Sequence, residues 1–443
     1  MTPQPIVPSP QSSVLVIGAG AGGLVAAGRA AECGAKVVLL ERGPQTGQKL
    51  RLTGKGRGNV TNAAELADFI QAFGENGKFL YSAYSRFFND ELIALLQRLG
   101  VKTKVERGGR VFPASDDADD VANALERWVR ELGVEIRLNT RARRIRVERV
   151  EGVARVEGVE TYGGHVRANA LVLAVGGITY PRTGSTGDGY RMAAEVGHRV
   201  IEPRPALTAM TAAERWVREL QGLSLKNVEA RLYRVGEDGT RQLVAKQFGE
   251  MLFTHFGASG PIILTLSRKA LDVLGKGKLE LSIGLKPALS DEQLDRRLIR
   301  DLSAKKYFRN YLPELLPRAM IPVLIQLSGI PAQLPVNRIT APQRRRIVEL
   351  LRDLRLTITS LRPPDEAMVT AGGVDIREID PRTMESKLVR GLYFVGEVID
   401  IDATTGGYNL QAAFSTGWVA GESAARGGRP WVLGDRGQPG ITL

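Results

Sequence analysis

One stretch, residues 14–41, constrains the fold of this 443-residue chain more than any other. It begins with a run of apolar residues typical of a buried strand. An alanine-rich segment then predicts a helix that ends at Gly34, and a second apolar run follows at 36–40. Glycines in G-x-G-x-x-G spacing separate the first strand from the helix, and an acidic residue follows the second strand. This order of elements predicts a dinucleotide-binding βαβ unit.

Each residue of this pattern has a mechanical role in such a unit. Gly18 permits the tight turn, Gly20 lets the backbone approach a pyrophosphate, and Gly23 lets helix and strand pack closely. The start of the helix offers unpaired N–H groups and the positive end of its dipole to the phosphates. Glu41, at the end of the second strand, is placed to accept hydrogen bonds from ribose hydroxyls.

Length and composition narrow the class of protein. The length predicts two or three domains, and a hydrophobic content of 43% is ordinary for a globular protein. Residues 1–13 carry no basic residue before the apolar run and predict a disordered tail rather than a targeting signal. A single cysteine, Cys33, excludes an internal disulfide and favours the cytoplasm. His165, His198 and His255 are the only histidines, which leaves little for a metal site, and we expect none.

The net charge of +13 is compatible with nucleic acid, an anionic cofactor or a basic proteome. Part of the excess is local, because Arg42, Lys49, Arg51, Lys55 and Arg57 follow the ribose-binding acid and suit the phosphates of a nucleotide. The remaining charge looks dispersed among acids, which favours a solvated surface. We therefore expect no specific nucleic-acid partner and no membrane association, and the oligomeric state stays open.

The rest of the chain divides by its pattern of elements. A glycine-rich basic loop at 49–62 is followed by helical patterns at 63–73, 78–88 and 90–99, with Asn89 as a possible N-cap. Later segments predict a hairpin turn at Gly108 and Gly109, a helix at 117–132, a strand at 134–138, an antiparallel meander at 142–168 and a strand at 171–175. Antiparallel strands and then a proline-punctuated helical run fill 195–355, and apolar strands resume at 368–374 and 391–395.

We interpret this order as an α/β protein in which one domain is interrupted by another. The predicted parts are a tail at 1–13, a first part of the dinucleotide domain at 14–195 and an inserted β-barrel and helical domain at 196–355. The second part of the dinucleotide domain follows at 356–430, and a C-terminal tail at 431–443 ends the chain.

A second glycine-rich stretch lies at 391–421, near the end of the chain. An apolar strand ends at Gly396 and Glu397, and Gly406 and Gly407 open a helix at about Tyr408. This arrangement places an acid at a ribitol chain and a helix N-terminus near an isoalloxazine ring, where its dipole stabilises negative charge. The alternative is a C-terminal helix whose glycines serve packing alone. Because FAD is long enough to need a stretch at each end of the domain, the pair favours FAD over a nicotinamide.

Several motifs now show a resemblance to a known family. The stretches TGKGRGNVTN (53–62), ERGGRVFPASDDADDV (106–121), AVGGITYPRTGSTGDGY (174–190), GEMLFTHFGASGP (249–261) and VTAGGV (369–374) match, together with 391–421. The chain resembles the bacterial NAD(P)/FAD-dependent oxidoreductases that include the aminoacetone oxidases and the bile-acid-inducible N-type reductases. The resemblance implies a glutathione-reductase-type FAD-binding Rossmann domain interrupted by a β-barrel and helical domain. One departure is Gly58, where the family often has a cysteine, so we expect no flavin-facing thiol.

The fingerprint and the resemblance together give a set of expected FAD contacts. They are Gly18, Gly20, Gly23, Glu41, Arg42, Lys49, Thr53, Gly54, Gly56, Arg57, Asn59, Ala174, Gly176, Gly396, Glu397, Gly406, Gly407, Tyr408, Asn409 and Leu410.

The expected chemistry is hydride exchange between flavin N5 and a small organic substrate. The matched motifs supply the candidates for proton transfer and anion binding, which are Tyr180, Arg182, Thr183, Ser185, His255 and Tyr408, and each has a purely structural alternative. Only one dinucleotide fingerprint is present. Either NAD(P)H binds transiently as electron donor, or oxygen or an organic substrate exchanges electrons directly. The rival hypothesis is an RNA-associated flavoprotein of the tRNA-modification type, since related folds serve that role and the chain is basic.

Overall fold

The computed structural model describes residues 13–303 and 305–427. The predicted tail at 1–13 lies outside this part of the chain except for Ser13, with which the first strand begins. The predicted tail at 431–443 lies outside it altogether.

The first part of the chain alternates strands and helices and then forms the predicted meander. Its strands are β1 (Ser13–Ile17), β2 (Lys36–Leu40), β3 (Thr61–Asn62), β4 (Thr103–Val105), β5 (Arg110–Pro113), β6 (Glu135–Arg137), β7 (Ala142–Val150), β8 (Val153–Thr161), β9 (Gly164–Arg167), β10 (Ala170–Leu173) and β11 (Val200–Ala206). Its helices are α1 (Ala21–Glu32), α2 (Gln48–Arg51), α3 (Leu66–Ala72), α4 (Tyr81–Tyr84), α5 (Asn89–Arg98), α6 (Ala118–Glu131) and α7 (Asp188–Glu195).

The hairpin turn at Gly108 and Gly109 is confirmed, because β4 and β5 pair antiparallel on either side of it. The N-cap prediction for Asn89 is wrong. Phe88 precedes the helix, and Asn89 is its first residue, whose amide donates to the carbonyl of Asn62 at 2.9 Å.

The middle of the chain builds an antiparallel barrel and a group of helices. Its strands are β12 (Met210–Ala212), β13 (Ser224–Val235), β14 (Arg241–Thr254), β15 (Gly257–Ser259), β16 (Lys278–Gly284) and β17 (Leu354–Leu361). Its helices are α8 (Pro261–Val273), α9 (Asp291–Asp301), α10 (Phe308–Tyr311), α11 (Ile321–Ser328) and α12 (Ala341–Arg352). Among the described residues the strands close in the order β12-β15-β14-β13-β16-β17. Inward residues such as Leu232, Leu281 and Leu356 are fully buried in a core of their own.

The last part of the chain returns to the first. It contains β18 (Val369–Val374), β19 (Leu392–Phe394) and α13 (Tyr408–Ala425), which begins at the predicted residue. Within the described residues, the chain divides into one compact unit of 13–204 with 369–427, which carries the predicted cofactor contacts and is called the cofactor unit, and a second of 205–368, called the middle unit. These bounds differ from the predicted 196–355 at both ends. The middle unit begins later than predicted because β11 pairs with β18 of the cofactor unit. It ends later than predicted because β17 closes the barrel.

The cofactor unit centres on a parallel sheet with the order β19-β10-β1-β2-β6 within the described residues. Parallel strands bring their carboxyl ends to one edge of the sheet, where such folds bind ligands. The glycine turn after β1, Glu41 after β2, Ala174 after β10 and Glu397 after β19 all lie at this edge. One edge of the sheet thus collects predicted site residues from four separate parts of the sequence.

Within residues 13–303 and 305–427, no helix combines the length and the apolar composition needed to cross a membrane.

Candidate cofactor site

The three fingerprint glycines differ in what surrounds them. A Cβ at Gly18 would lie 2.5 Å from the carbonyl oxygen of Ala174, and a Cβ at Gly23 would lie 1.8 Å from that of Gly18. A Cβ at Gly20 would meet no atom within 4 Å. Gly18 and Gly23 are therefore required by packing within the protein, whereas Gly20 faces open space. That space is what the close approach of a pyrophosphate needs.

Helix α1 begins beside this space without a protein cap. Its N-cap is Gly20, no described side chain accepts from the first-turn N–H groups, and the first turn contains no acidic residue. The free N–H groups and the positive end of the helix dipole are thus left for an anion.

Glu41 fixes the same turn from the second strand. Its buried carboxylate accepts hydrogen bonds from the backbone N–H of Ala19 at 2.8 Å and of Gly43 at 2.7 Å. A carboxylate has about four acceptor positions, so two remain for ribose hydroxyls.

Four of the five basic residues assigned to nucleotide phosphates are neutralised by carboxylates of the protein. The pairs are Arg42–Asp188 at 3.3 Å, Lys49–Glu397 at 2.6 Å, Arg51–Asp119 at 2.8 Å, and Arg57 with Glu106 and Asp116, both at 2.5 Å. The fifth, Lys55, is exposed and makes no ion pair with a described residue. These four basic side chains therefore serve mainly to join the residues after β2, including the glycine-rich loop, to the segments that carry their carboxylate partners.

Glu397 is the centre of a polar cluster at the carboxyl end of β19. Its carboxylate accepts from the ammonium of Lys49 at 2.6 Å, the N–H of Thr370 at 2.7 Å and the hydroxyl of Thr179 at 3.0 Å. Burial alone would raise the pKa of Glu397, but Lys49 and the N–H of Thr370 outweigh it and hold that pKa below its ordinary value. The group is therefore ionised at neutral pH.

The start of α13 is shaped by two glycines and two asparagines. Gly407 has φ +103°, and a Cβ there would lie 2.3 Å from the carbonyl oxygen of Thr61. The amide oxygen of Asn59 accepts from the N–H of Gly407 at 3.1 Å, and the amide of Asn62 donates to the carbonyl of Gly406 at 2.9 Å. The first turn of α13 contains no acidic residue and no side-chain cap. This helix therefore presents a second open N-terminus.

The two open helix ends point the same way at a fixed offset. Gly417 packs on the carbonyl of Gly22 and Gly421 on that of Ala26, so α13 and α1 run parallel. With a rise of 1.5 Å per residue, α13 begins about 12 Å ahead of α1 along their common direction. FAD carries a pyrophosphate and, beyond a ribityl chain, a ring that gains negative charge on reduction. Two positive helix ends in this arrangement, with Glu41 and Glu397 at the sheet edge, fit that molecule.

The remaining predicted contacts support the backbone around these groups. The hydroxyl of Thr53 donates to the carbonyl of Leu50, and the amide of Asn409 bonds the backbone of Ala403 in both directions at 2.9 Å. Gly54 and Gly56 both have positive φ in the loop, and Gly176 has φ +71°. Leu410 is partly buried against the core of this unit.

The catalytic candidates are distributed over both units. Tyr408 packs its ring on Phe69, and burial and then the charge of Asp68 raise the pKa of its hydroxyl. Tyr180 has a left-handed backbone, with φ +54°, and its ring centre lies 5.9 Å from the Lys49 ammonium. His255 belongs to the middle unit, where it is exposed beside Phe256.

Three further candidates lie in the turn after Tyr180. Arg182 is exposed and makes no ion pair with a described residue, and the hydroxyl of Thr183 donates to the carbonyl of Tyr180 at 2.7 Å. Ser185 is buried next to Gly176. Thr183 thus shapes the turn, whereas Arg182 stays available to a ligand.

Gly58 does not occupy a reactive position. A Cβ there would lie 3.0 Å from the Cα of Ala118 and 3.3 Å from the Cδ of Pro113. A side chain at position 58 therefore points into the packing between α6 and β5.

Sequence reasoning missed Asn62, Thr179 and Thr370, which hold the glycine-rich turn and Glu397. All three stand inside motifs that resemble the family (NVTN, GGITYP and VTAGGV), so their motif membership was the available signal. Their partners lie 27 to 344 residues away in the chain, which no local pattern reveals.

Comparison with known proteins identifies the family. The HI0933-like protein Rossmann domain matches residues 12–423. The chain belongs to this family. A relative from Clostridium scindens, named 3-dehydro-bile acid delta(4,6)-reductase, is 32% identical over 93% of this chain and 98% of its own length. Two proteins named ribosomal RNA dihydrouridine synthase are also similar. The one from Escherichia coli is 30% identical over 92% of this chain and 96% of its own length. The one from Haemophilus influenzae is 29% identical over 94% of this chain and 100% of its own length.

This HI0933-like protein is an FAD-dependent oxidoreductase, as its family and relatives establish. The predicted fold class is confirmed, with a Rossmann FAD-binding domain interrupted by a barrel and helices. FAD as cofactor follows from the same assignment and from the fit of the two helix ends.

Proposed function

We propose that this protein reduces a carbon–carbon double bond conjugated to a carbonyl group, with NAD(P)H as its transient electron donor. The observation that carries the proposal is a chemical step common to the names of its full-length relatives. A delta(4,6)-reductase of a 3-dehydro bile acid saturates a double bond conjugated to a ketone. A dihydrouridine synthase saturates the C5–C6 bond of uracil, which is conjugated to the C4 carbonyl. The same reaction thus underlies both names.

Bound FAD supplies hydride at N5, and the protein contributes binding, orientation and the proton. Gly20 and the start of α1 would receive the pyrophosphate, and Glu41 and Glu397 would face the ribose and the ribityl chain. The open start of α13 would place its partial positive charge near the flavin ring, which gains negative charge on reduction. The geometry of the described residues and the length of the cofactor support these assignments.

The reaction also requires a proton at the carbon next to the carbonyl. We assign its delivery to a tyrosine of the cofactor unit, either Tyr408 or Tyr180. The raised pKa of Tyr408 keeps its hydroxyl protonated at neutral pH, as a donor must be. Tyr180 stands beside the Lys49 ammonium on a left-handed backbone, and such backbone outliers cluster at functional sites.

A second candidate substrate is uridine within ribosomal RNA. Two of the relatives bear that name, and the charge of +13 suits a polyanionic substrate. The two candidates differ in what must be recognised around the reactive bond, since a steroid acid and an RNA share only the conjugated carbonyl.

An anaerobic experiment in two steps tests the proposal. The purified yellow protein is first reduced with NADH or NADPH, and a conjugated ketone such as a 3-oxo-4-ene steroid acid, or a uridine-containing RNA, is then added. We expect a nicotinamide to bleach the flavin and one substrate to restore its colour with one equivalent of saturated product. If neither substrate reoxidises the reduced flavin and only oxygen, admitted afterwards, does so, the result contradicts the reductase proposal and favours an oxidase.

A further inference from the structure

The helical part of the middle unit carries a large share of the chain's excess positive charge. Residues 291–352 contain twelve lysines and arginines against six acidic residues, so this segment supplies six of the thirteen net charges. An excess of this kind, where its cations lie together on the surface, is the electrostatic footprint of a polyanion-binding surface.

Six of these twelve cations form ion pairs with carboxylates of the same segment, and the other six pair with no described residue. The pairs are Asp291–Arg352, Asp295–Arg344, Asp301 with Arg297 and Arg300, Glu314–Lys306, and Glu349–Arg346. The sixth acid, Glu292, accepts from the hydroxyl of Ser290 instead. The cations that make no ion pair with a described carboxylate are all exposed: Arg296, Lys305, Arg309, Arg318, Arg338 and Arg345.

Three of these unpaired cations lie on two adjoining segments, 305–309 and 332–338. The N–H of Val336 donates to the carbonyl of Lys306, and the N–H of Arg309 donates to the carbonyl of Ala332, at 2.9 and 3.0 Å. Tyr307 bridges to Pro335 between these bonds. Lys305, Arg309 and Arg338 are thus carried on one small paired structure, which we name the basic paired segment.

The basic paired segment also exposes an aromatic ring. Tyr307 is 52% exposed, although a tyrosine of ordinary packing buries most of its ring. Unpaired cations around an exposed ring are the composition by which proteins hold single-stranded nucleic acid, with phosphates on the cations and a base stacked on the ring.

We infer that the basic paired segment is the surface on which an RNA substrate docks. The inference rests on the second candidate of the proposed function, because it supplies the RNA recognition that a conjugated carbonyl alone does not provide. Lys305, Arg309 and Arg338 contact phosphates, and Tyr307 stacks on an unpaired base.

The test uses the full-length flavoprotein and a short single-stranded, uridine-rich RNA, with binding measured over a range of salt. The variant Lys305→Gln/Arg309→Gln/Arg338→Gln loses at least tenfold in affinity, and its slope of log K against log salt falls by about 2, since each lost contact removes about 0.7. The matched control changes three exposed cations of the cofactor unit, Lys36→Gln/Lys102→Gln/Arg149→Gln, and keeps the affinity and the slope. Flavin content and reduction by NAD(P)H stay unchanged in both.

Substitutions of Tyr307 separate stacking from charge. Tyr307→Ala weakens RNA binding by about 5- to 150-fold, the range expected for one stacked base, with no change in salt slope. Tyr307→Phe keeps the affinity, because the ring remains.

The outcomes distinguish this inference from the proposed function. Equal losses in the two triple variants, or binding to phosphatidylserine vesicles that RNA does not compete away, would overturn the RNA surface. A protein that reduces a conjugated ketone but binds no RNA also overturns it, while the reductase proposal stands. RNA binding that depends on the basic paired segment, without reduction of any conjugated carbonyl, supports the surface and refutes the reductase proposal.

Discussion

Gly417 in α13 lies against the carbonyl oxygen of Gly22 in α1, so closely that a Cβ on Gly417 would stand 2.3 Å from that oxygen. Gly421 repeats the contact one turn later on Ala26, at the same distance. This pair of contacts fixes the register between helices that are almost 400 residues apart in sequence. It thereby sets the offset between the two open helix ends of the cofactor site.

The first prediction concerns this contact. Gly417→Ala is expected to lower the free energy of unfolding by about 1–3 kcal/mol, because a methyl group in a closed contact forces the helices apart. The measurement is thermal and denaturant unfolding of the apoprotein. Gly20→Ala is the matched control, since it adds the same methyl group where no atom lies within 4 Å. Equal stability of the two variants would show that the helices do not pack as closely as described.

The second prediction separates cofactor binding from folding. Gly20→Val fills the open space before α1 and should give a folded protein with little or no FAD, because the pyrophosphate can no longer approach the backbone. Flavin released by denaturation is quantified against circular dichroism of the same sample. FAD at full occupancy in this variant would place the cofactor elsewhere, and FMN from the unaltered protein would refute the adenylate site.

The third prediction concerns the pair of Lys49 and Glu397. Lys49→Met leaves the Glu397 carboxylate without its cation, and we expect the free energy of unfolding to fall by about 1–3 kcal/mol at pH 7. This is less than for a fully buried ion pair, because the two side chains are a fifth to a quarter exposed to solvent. The pKa of Glu397 is held low in the folded protein, so this stabilisation is present above the ordinary glutamate pKa and is lost as pH falls through the folded value. A double-mutant cycle with Glu397→Gln at pH 7 and pH 4 measures the coupling. A coupling energy near zero at pH 7 contradicts the prediction.

The fourth prediction is a loss of stability in mild acid. His198 is buried between the carboxylate of Glu378, 3.0 Å from Nδ1, and the hydroxyl of Ser386, 2.8 Å from Nε2. The Ser386 oxygen already accepts from the N–H of Leu388 and of Val389, so it favours donating its own proton to a neutral imidazole.

Burial lowers the pKa of His198 despite the opposing charge of Glu378. The unfolded chain then binds more protons in the window below the ordinary histidine value of about 6.5, so stability falls as pH drops from about 6.5 toward the folded value. Unfolding midpoints between pH 5 and 8 measure this slope. His198→Gln should flatten it, and His165→Gln, at an exposed position, should leave it unchanged. A midpoint that rises on acidification would contradict the assignment.

The sequence alone determined the parts of the fold that depend on local order. The glycine spacing, the two strands around it and the helix that begins at Tyr408 follow from short-range periodicity and turn chemistry, and the structure confirms each within a residue or two. These features are decided by neighbours in the chain, because strand and helix patterns and the backbone freedom of glycine are local properties.

Tertiary structure decided which charges remain free and which residues meet. Arg42, Lys49, Arg51 and Arg57 looked alike in sequence to Lys55, yet all four pair with carboxylates 49 to 348 residues away, and Lys55 pairs with none that the structure describes. The cluster around Glu397 joins three segments that no linear pattern links. Ion pairing and burial depend on distances between elements distant in sequence, and only the packing of those elements sets such distances.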